Sequence, residues 1–160
     1  MPFPPPPYPP LDPAPDAAAD AHGVTALLLT EDDRFLLQLR DDIPGIALPG
    51  HWACFGGHAE AGESAEQALR RELMEELAFQ PATLRLVHQS LYTLPRPARR
   101  IVRNDWFLVP LPLRALSTLR QQEGADMALF TLEQARILPK ISPFDLSTMM
   151  LLAHWRRLYP

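Results

Sequence analysis

The chain has 160 residues, 47% hydrophobic and 21% charged, with 19 acidic residues against 15 basic and a formal net charge of −4. That length fits one globular domain burying roughly two-thirds of its unfolded surface, and the charge argues against a broad electrostatic footprint for nucleic acid polymers. One cysteine, Cys54, excludes an intramolecular disulfide framework; no apolar run is long enough to span a membrane; and Met1-Pro2-Phe3-Pro4 lacks the basic start of a secretory signal, so a cytoplasmic protein is expected.

Nine of the 19 prolines fall in the first 15 residues. Proline fixes φ and donates nothing to a ladder, so residues 1–21 read as a polyproline or disordered tail and 22–160 as the domain. Two readings of the tail stay open, an unstructured leader, which composition favours, and a proline-motif ligand for a partner.

Within the domain, Val24 to Thr30 is a short apolar run that reads as a strand, Glu31-Asp32-Asp33 as a polar turn, and Arg34 to Arg40 as the second strand of a hairpin. Asp41 to Gly50 holds Pro44, Gly45, Pro49 and Gly50 and must be loop. Trp52 to Phe55 reads as one short strand ending in Gly56-Gly57. Ser64 and Gln67 stand in capping-box spacing before Ala65 to Leu77, a run without proline or glycine. Leu69, Leu73 and Leu77 share one arc of that helix with Met74 at its edge, and Glu72, Glu75 and Glu76 occupy the neighbouring arc. Leu84 to Leu94, Ile101 to Leu111 and Met127 to Thr131 read as strands. Thr131 to Ile137 reads as a helical turn and Phe144 to Leu158 as a closing helix. Strands on both sides of a central helix, with a second helix at the end, predict an α/β layered sandwich.

Chemistry concentrates at one place. Glu72, Glu75 and Glu76 stand at i, i+3 and i+4, so three carboxylates share a helix face and repel one another. A purely structural helix gains nothing from this, whereas divalent cations would turn the repulsion into ligation, since Mg²⁺ takes oxygen ligands and leaves places for water and substrate phosphates. The alternative is a solvated acidic face with Arg70 and Arg71 as ordinary partners. The longer pattern decides between them: Gly57, five residues, Glu63, seven residues, then Arg71-Glu72-Leu73-Met74-Glu75-Glu76. It closely resembles the signature of the Nudix hydrolases over the 23 residues from Gly57 to Phe79. One defining position departs, with Ala78 in place of the glycine that ends the family helix in a left-handed turn; no ligand is lost by it. Phe55 also stands where many family members have proline, which suggests a pocket-lining ring.

The resemblance implies a Nudix-like α/β/α sandwich with a mixed central sheet and a C-terminal helix. It implies a pyrophosphohydrolase that cleaves a diphosphate linkage in a nucleoside diphosphate joined to another group, nucleoside triphosphates included. Its cofactor would be two or three Mg²⁺ ions, or Mn²⁺ in their place. Glu72 and Glu76 match the main metal ligands, Glu75 a further ligand or the general base, and Glu63 the glutamate supporting the metal site. Arg71 matches the arginine that holds the glutamates, and Gly56 would offer its carbonyl to a metal. Many family members recruit another acid from a loop; Glu123, ahead of a late strand, is the candidate base, with Asp105 and Asp126 behind it.

Substrate contacts are assigned to Arg40, Phe55, Arg99, Arg103 and Trp106. The arginines, with Arg96 and Arg100 beside them, would meet phosphates, and the rings, with Trp52 and Phe107, would stack a base; a solvated basic turn and core packing are the alternatives. His51 and His58 read as surface histidines and Cys54 as core. The expected partner is a nucleotide-type small molecule, with no nucleic acid polymer and no membrane, and a homodimer is compatible with the chain. A Nudix-like sensor that binds nucleotide without turnover is the competing reading; it tends to lose box residues, which this chain keeps.

Overall fold

The two faces of the first strand show how the domain is layered. In the computed structural model, which describes residues 19–94 and 100–158, β1 (Ala21–Thr30) buries Val24, Ala26 and Leu28 on one face and Leu27 and Leu29 on the other. A strand apolar on both faces belongs at the centre of a sheet covered on both sides. β1 does sit there: it runs parallel to β6 (Ile101–Leu111) from Ala21↔Val102 to Thr30↔Leu111, with antiparallel β5 (Arg85–Thr93) outside β6. On its other side β1 meets β2 (Arg34–Leu39) at Leu29↔Phe35 and β4 (Phe55–His58) along Gly23 to Ala26. β2 in turn carries β3 (Trp52–Ala53) and β7 (Asp126–Thr131). One parallel pair among antiparallel ones makes the sheet mixed, as the resemblance implied.

Helix α1 (Ala65–Leu77) covers the first face. Its Leu69, Leu73 and Leu77 are fully buried against Val24, Phe55, Phe107 and Val109. Met74, expected at the edge of that arc, is 43% exposed, because the arc ends one position short of it. Both halves of the Ser64–Gln67 capping box form. Helices α2 (Leu132–Arg136) and α3 (Pro143–Leu158) cover the second face, where Ala135, Met149 and Leu152 pack on Leu27, Leu37 and Trp106. Met150 and Trp155 stand on the outer side of α3. Among the described residues no helix is long and apolar enough to cross a membrane.

Three local differences from the sequence reading have physical causes. β1 begins at Ala21, because the backbone N–H of Asp20 already donates to the Ile101 carbonyl (2.8 Å) and its carboxylate accepts from the Ile101 N–H (2.7 Å). The stretch read as one strand from Trp52 to Phe55 is two: β3 pairs with β2, the chain then changes partner at Cys54, and β4 pairs with β1. The segment after β6 holds a 3₁₀ helix, Leu113–Thr118, whose Ala115 and Leu116 pack beneath the α1 layer.

Ala78 ends α1 with φ 52° and ψ 37°, its N–H reaching the Leu73 and Met74 carbonyls. An L-residue with a Cβ pays about 1 kcal/mol or more to sit in this left-handed region, and glycine does not. Ala78→Gly should therefore stabilise the fold by about 0.5–1 kcal/mol and raise the melting temperature by about 1–4 °C. A lower melting temperature in a calorimetric comparison would show that the alanine is not strained.

Candidate functional site

The acidic face of α1 lies against β4, and one guanidinium organises it. Arg71 makes a two-pronged pair with Glu63, Nε to Oε1 and Nη2 to Oε2, both 2.9 Å. Its Nη1 reaches Glu72 Oε1 at 2.9 Å and Glu75 Oε2 at 3.2 Å, and Nη2 also donates to the His58 carbonyl at 3.0 Å. A planar fork of five donors suits this task, and a lysine could not reproduce it. Glu63 accepts the Glu60 N–H as well (2.9 Å), and Arg71 above all holds its carboxyl down at about 2. Both Glu63 oxygens are thus committed to Arg71, so Glu63, expected among the metal ligands, here positions the arginine.

Two carboxylates remain aimed at the glycine strand. Glu72 accepts the His58 N–H at 3.3 Å, and Glu76 Oε2 accepts the Gly56 N–H at 3.0 Å. Glu76 is only 6% exposed, and burial pushes its carboxyl up to about 7. The Gly56 N–H opposes that shift, while the negative charges of Glu72 and Glu123 add to it. The Gln122 N–H meets the Glu76 carbonyl at 2.9 Å, which ties the loop before β7, and Glu123 with it, to the end of α1. Gly56, expected to offer a carbonyl, is engaged here through its N–H. Glu75 is the most open of the three helix glutamates, its side chain 57% exposed.

Glycine is required at position 56, and at position 57 its lack of a side chain makes room for Glu72. A Cβ on Gly56, whose φ is 141°, would overlap the Val24 carbonyl oxygen, and one on Gly57 would overlap the Glu72 carboxyl. Among the described residues no three acidic, histidine or cysteine side chains converge into a ready cage for an ion. The donor set still fits a hard divalent cation. A buried carboxylate crowded by two others gains from one, and Mg²⁺ needs only one or two carboxylates besides waters and substrate phosphates.

β4 also forms one side of a cleft of about 130 Å³ that continues towards β6 and the start of α3. Thr25, Arg40, Asn104, Ser142, Phe144 and Asp145 are among its lining. Arg40 stands there with its Nε donating to the Ala47 carbonyl at 2.8 Å. The rings assigned to substrate do not reach it. Phe55 is fully buried under α1, and Trp106, 1% exposed, packs in the other core with its Nε1 donating to Ser90 Oγ at 2.8 Å. Both point inward from their strands, where a large ring fills core volume. Phe107 is likewise core, and Trp52 meets Phe130 edge-on at 4.8 Å. Arg103 stands on β6 in register with His22, and Asp105 holds His22 (2.9 Å) and Gln89 (2.7 Å). Asp126 is exposed, its carboxylate accepting its neighbour's Met127 N–H. Arg96 and Arg99 lie outside the described residues.

Sequence reading missed Asp145. It is 7% exposed, in the first turn of α3, with its carboxyl pushed up to about 6 by burial against the opposing pull of the Ser142 side chain, the Cys54 backbone and Arg40. An acidic residue in a helix's first turn is so common that nothing local marked it.

The overlap at Gly57 involves only the end of a flexible side chain. Gly57→Ala should therefore leave the melting temperature within a few degrees while displacing the Glu72 carboxylate. Turnover should fall at least about tenfold, since misplacing a reacting group by an ångström is costly. Unchanged turnover in a folded variant would remove Glu72 from the site.

The NUDIX domain family model matches residues 20–152. A 53-residue stretch is 47% identical to the nucleoside triphosphatase NudI of Escherichia coli O139:H28, covering 33% of this chain and 37% of that protein's length. The MutT protein of Methanosarcina mazei Go1 superposes with a TM-score of 0.73 at 18% identity, over 85% of this chain and 94% of that one. The E. coli ORF135 protein superposes with a TM-score of 0.68 at 27% identity, over 88% and 93%. With most of the chain matched by the family model, and its box held on α1 as described, the protein belongs to the Nudix family.

Proposed function

We propose that the protein is a divalent-cation-dependent pyrophosphohydrolase of nucleoside diphosphates linked to another group, nucleoside triphosphates included. The observation that supports this best is the Arg71 fork. It fixes Glu72 beside the glycine strand, with Glu76 next to it, and that strand's Gly56 and Gly57 border the cleft that Arg40 lines. The partial likeness to a nucleoside triphosphatase points the same way.

In this reading Glu72, Glu76 and the more exposed Glu75 hold the ions, and Gly56 lies beside them. Bound Mg²⁺ would neutralise charge on the bridging and leaving phosphate oxygens. Arg71 keeps the carboxylates from turning away, with Glu63 locking its plane. Arg40, at the cleft rim, would meet a phosphate or the sugar. A carboxylate outside the ligand set is the better proton acceptor for the attacking water, because ligation lowers basicity, and Glu123 is exposed and close enough to Glu76 to influence it. A sensor without turnover is the second reading. The complete Arg71 network weighs against it, since tethering carboxylates that do no chemistry serves no binding purpose.

A panel of nucleotides assayed for phosphate or pyrophosphate release with Mg²⁺ tests this directly. Hydrolysis should vanish in excess EDTA, and persistence would end the metal-dependent reading. Glu76→Gln keeps the shape and the Gly56 hydrogen bond but removes the charge, and it should lose at least about a hundredfold in kcat while remaining folded. Near-normal turnover would place the reaction elsewhere. Glu123→Gln should lower kcat by about 10²–10⁴-fold with KM little changed, as for a lost general base. Wild-type kcat across pH 6–9 would return the base to the box.

A further inference from the structure

β2 buries one polar side chain among apolar ones. Phe35, Leu36 and Leu37 are core, and Gln38, next in the strand, is only 3% exposed. Burying an amide is costly unless its donors are met. The Gln38 backbone is held on both sides, in register with Ala53 of β3 and Met127 of β7. Side chains alternate along a strand, so Gln38 shares the face of Leu36, which α1 covers.

An amide nitrogen carries two hydrogens. Gln38 Nε2 donates to the Cys54 carbonyl at 3.4 Å, across the point where the chain leaves β2 for β1. The Gln38 side chain also hydrogen-bonds the Glu76 carboxyl and favours its charged form, so the amide is the donor there as well. Glu76 is thus gripped by two neutral donors, this amide and the Gly56 N–H at 3.0 Å. Neither carries a charge, so neither rivals a cation for the carboxylate. The Arg71 fork gathers Glu63, Glu72 and Glu75, and Gln38 reaches the fourth glutamate.

The same amide borders the loop that carries Glu123. A Cβ on Gly124, whose φ is 82°, would stand 3.2 Å from Gln38 Oε1 and 2.9 Å from the Leu39 carbonyl oxygen, so the loop lies directly on β2 there. The Ala125 N–H donates to that Leu39 carbonyl at 2.8 Å. The Gln122 and Arg120 N–H groups donate to the Glu76 and Leu77 carbonyls, both at 2.9 Å. The loop is therefore clamped between β2 and the end of α1, with Gln38 at the corner where β2, the strand break, α1 and the loop meet.

We propose that Gln38 is a positioning residue of the acidic site: its amide holds the Glu76 carboxylate towards the glycine strand and sets the spacing between Glu76 and the loop of Glu123. This rests on reading that site as the divalent-cation centre of a nucleotide hydrolase. Gln38 does not line the cleft, so it acts through Glu76 and not on the nucleotide. A carboxylate already held by hydrogen bonds has less freedom to lose when an ion arrives, and partners of this kind are typically worth about 10–100-fold in metal affinity or activity.

The test uses the full chain with Gln38→Met, which keeps the length and the burial but removes both donors. Mn²⁺ binding without nucleotide, read from the free-ion EPR signal, should weaken by at least about tenfold. The Mg²⁺ concentration for half-maximal turnover should rise by a similar factor, while the nucleotide KM at saturating Mg²⁺ changes less than about threefold. In a Glu76→Gln background the same change should weaken Mn²⁺ binding by less than about twofold, because a residue that acts through Glu76 has no carboxylate left to place. A lower melting temperature with Mn²⁺ binding and the Mg²⁺ requirement intact would make Gln38 a purely structural bridge and overturn the assignment, while turnover by the unmodified protein leaves the hydrolase reading standing. A raised KM with an unchanged Mg²⁺ requirement, or a full loss persisting in the Glu76→Gln background, overturns it equally. If Gln38→Met does not fold, Gln38→Thr decides in its place, since a β-branched residue suits a strand and is too short to reach Glu76; the same losses are expected. Weaker Mn²⁺ binding in the variant, with no turnover of any nucleotide by the unmodified protein, would overturn the hydrolase reading and support the role of Gln38. Neither turnover nor Mn²⁺ binding by the unmodified protein would overturn both.

Discussion

The Arg71 guanidinium is the constraint on which the site depends. Four acidic side chains, Glu63, Glu72, Glu75 and Glu76, stand within 14 residues, and their mutual repulsion would fan them into solvent. Arg71 draws three of them to one plane and adds the His58 carbonyl, so helix, loop and strand β4 converge on a single group. The Glu63 pair is 26% and 22% exposed across its two side chains, so solvent screens its contribution to stability. Its value is geometric: it fixes where the remaining carboxylates point.

The second constraint is the change of partner at Cys54. β1 and β2 separate after Leu29↔Phe35, and one continuous strand cannot pair with both. The chain solves this by pairing Trp52–Ala53 with β2 and Phe55–His58 with β1, while Gln38 Nε2 bridges the break to the Cys54 carbonyl at 3.4 Å. Ala53, Cys54 and Gly56 at this break line the cleft, as does Asp145. The same break brings Gly56 against the β1 backbone and Gly57 against the Glu72 carboxyl, so that a Cβ at either position would overlap its neighbour.

How much of this was legible in the sequence follows from the range of the interactions involved. α1 was readable to its ends, because its cap, its leucine arc and its acidic arc are all set by residues within four positions of one another. The Arg71 network was legible through the spacing of the box, although the partner of Glu63 was not, since a loop glutamate can turn to the metal side or to the arginine. The break at Cys54 depends on two other strands diverging, which no local pattern records. Phe55 and Trp106 were misassigned for a related reason: alternation says that a strand residue points to one of two faces, not which face is cleft and which is core. Asp145 was invisible because its burial comes from β3, more than 85 positions earlier in the chain, pinning the segment ahead of α3.

The two faces of β4 divide the labour physically. On one face α1 brings the carboxylates that Arg71 gathers; on the other, α3 brings the buried carboxylate of Asp145. Only backbone, stripped to glycine at positions 56 and 57, stands between them. A change in the first turn of α3 alters the cleft lining without moving Arg71 or the glutamates, since Trp52, Cys54 and Tyr92, not α1, carry the contacts of that turn. A change in α1 alters the acidic site without reshaping the cleft wall of Tyr92 and Phe144. A scaffold divided in this way can keep its acidic helix face while the residues lining the cleft vary, which is how one fold can serve many substrates.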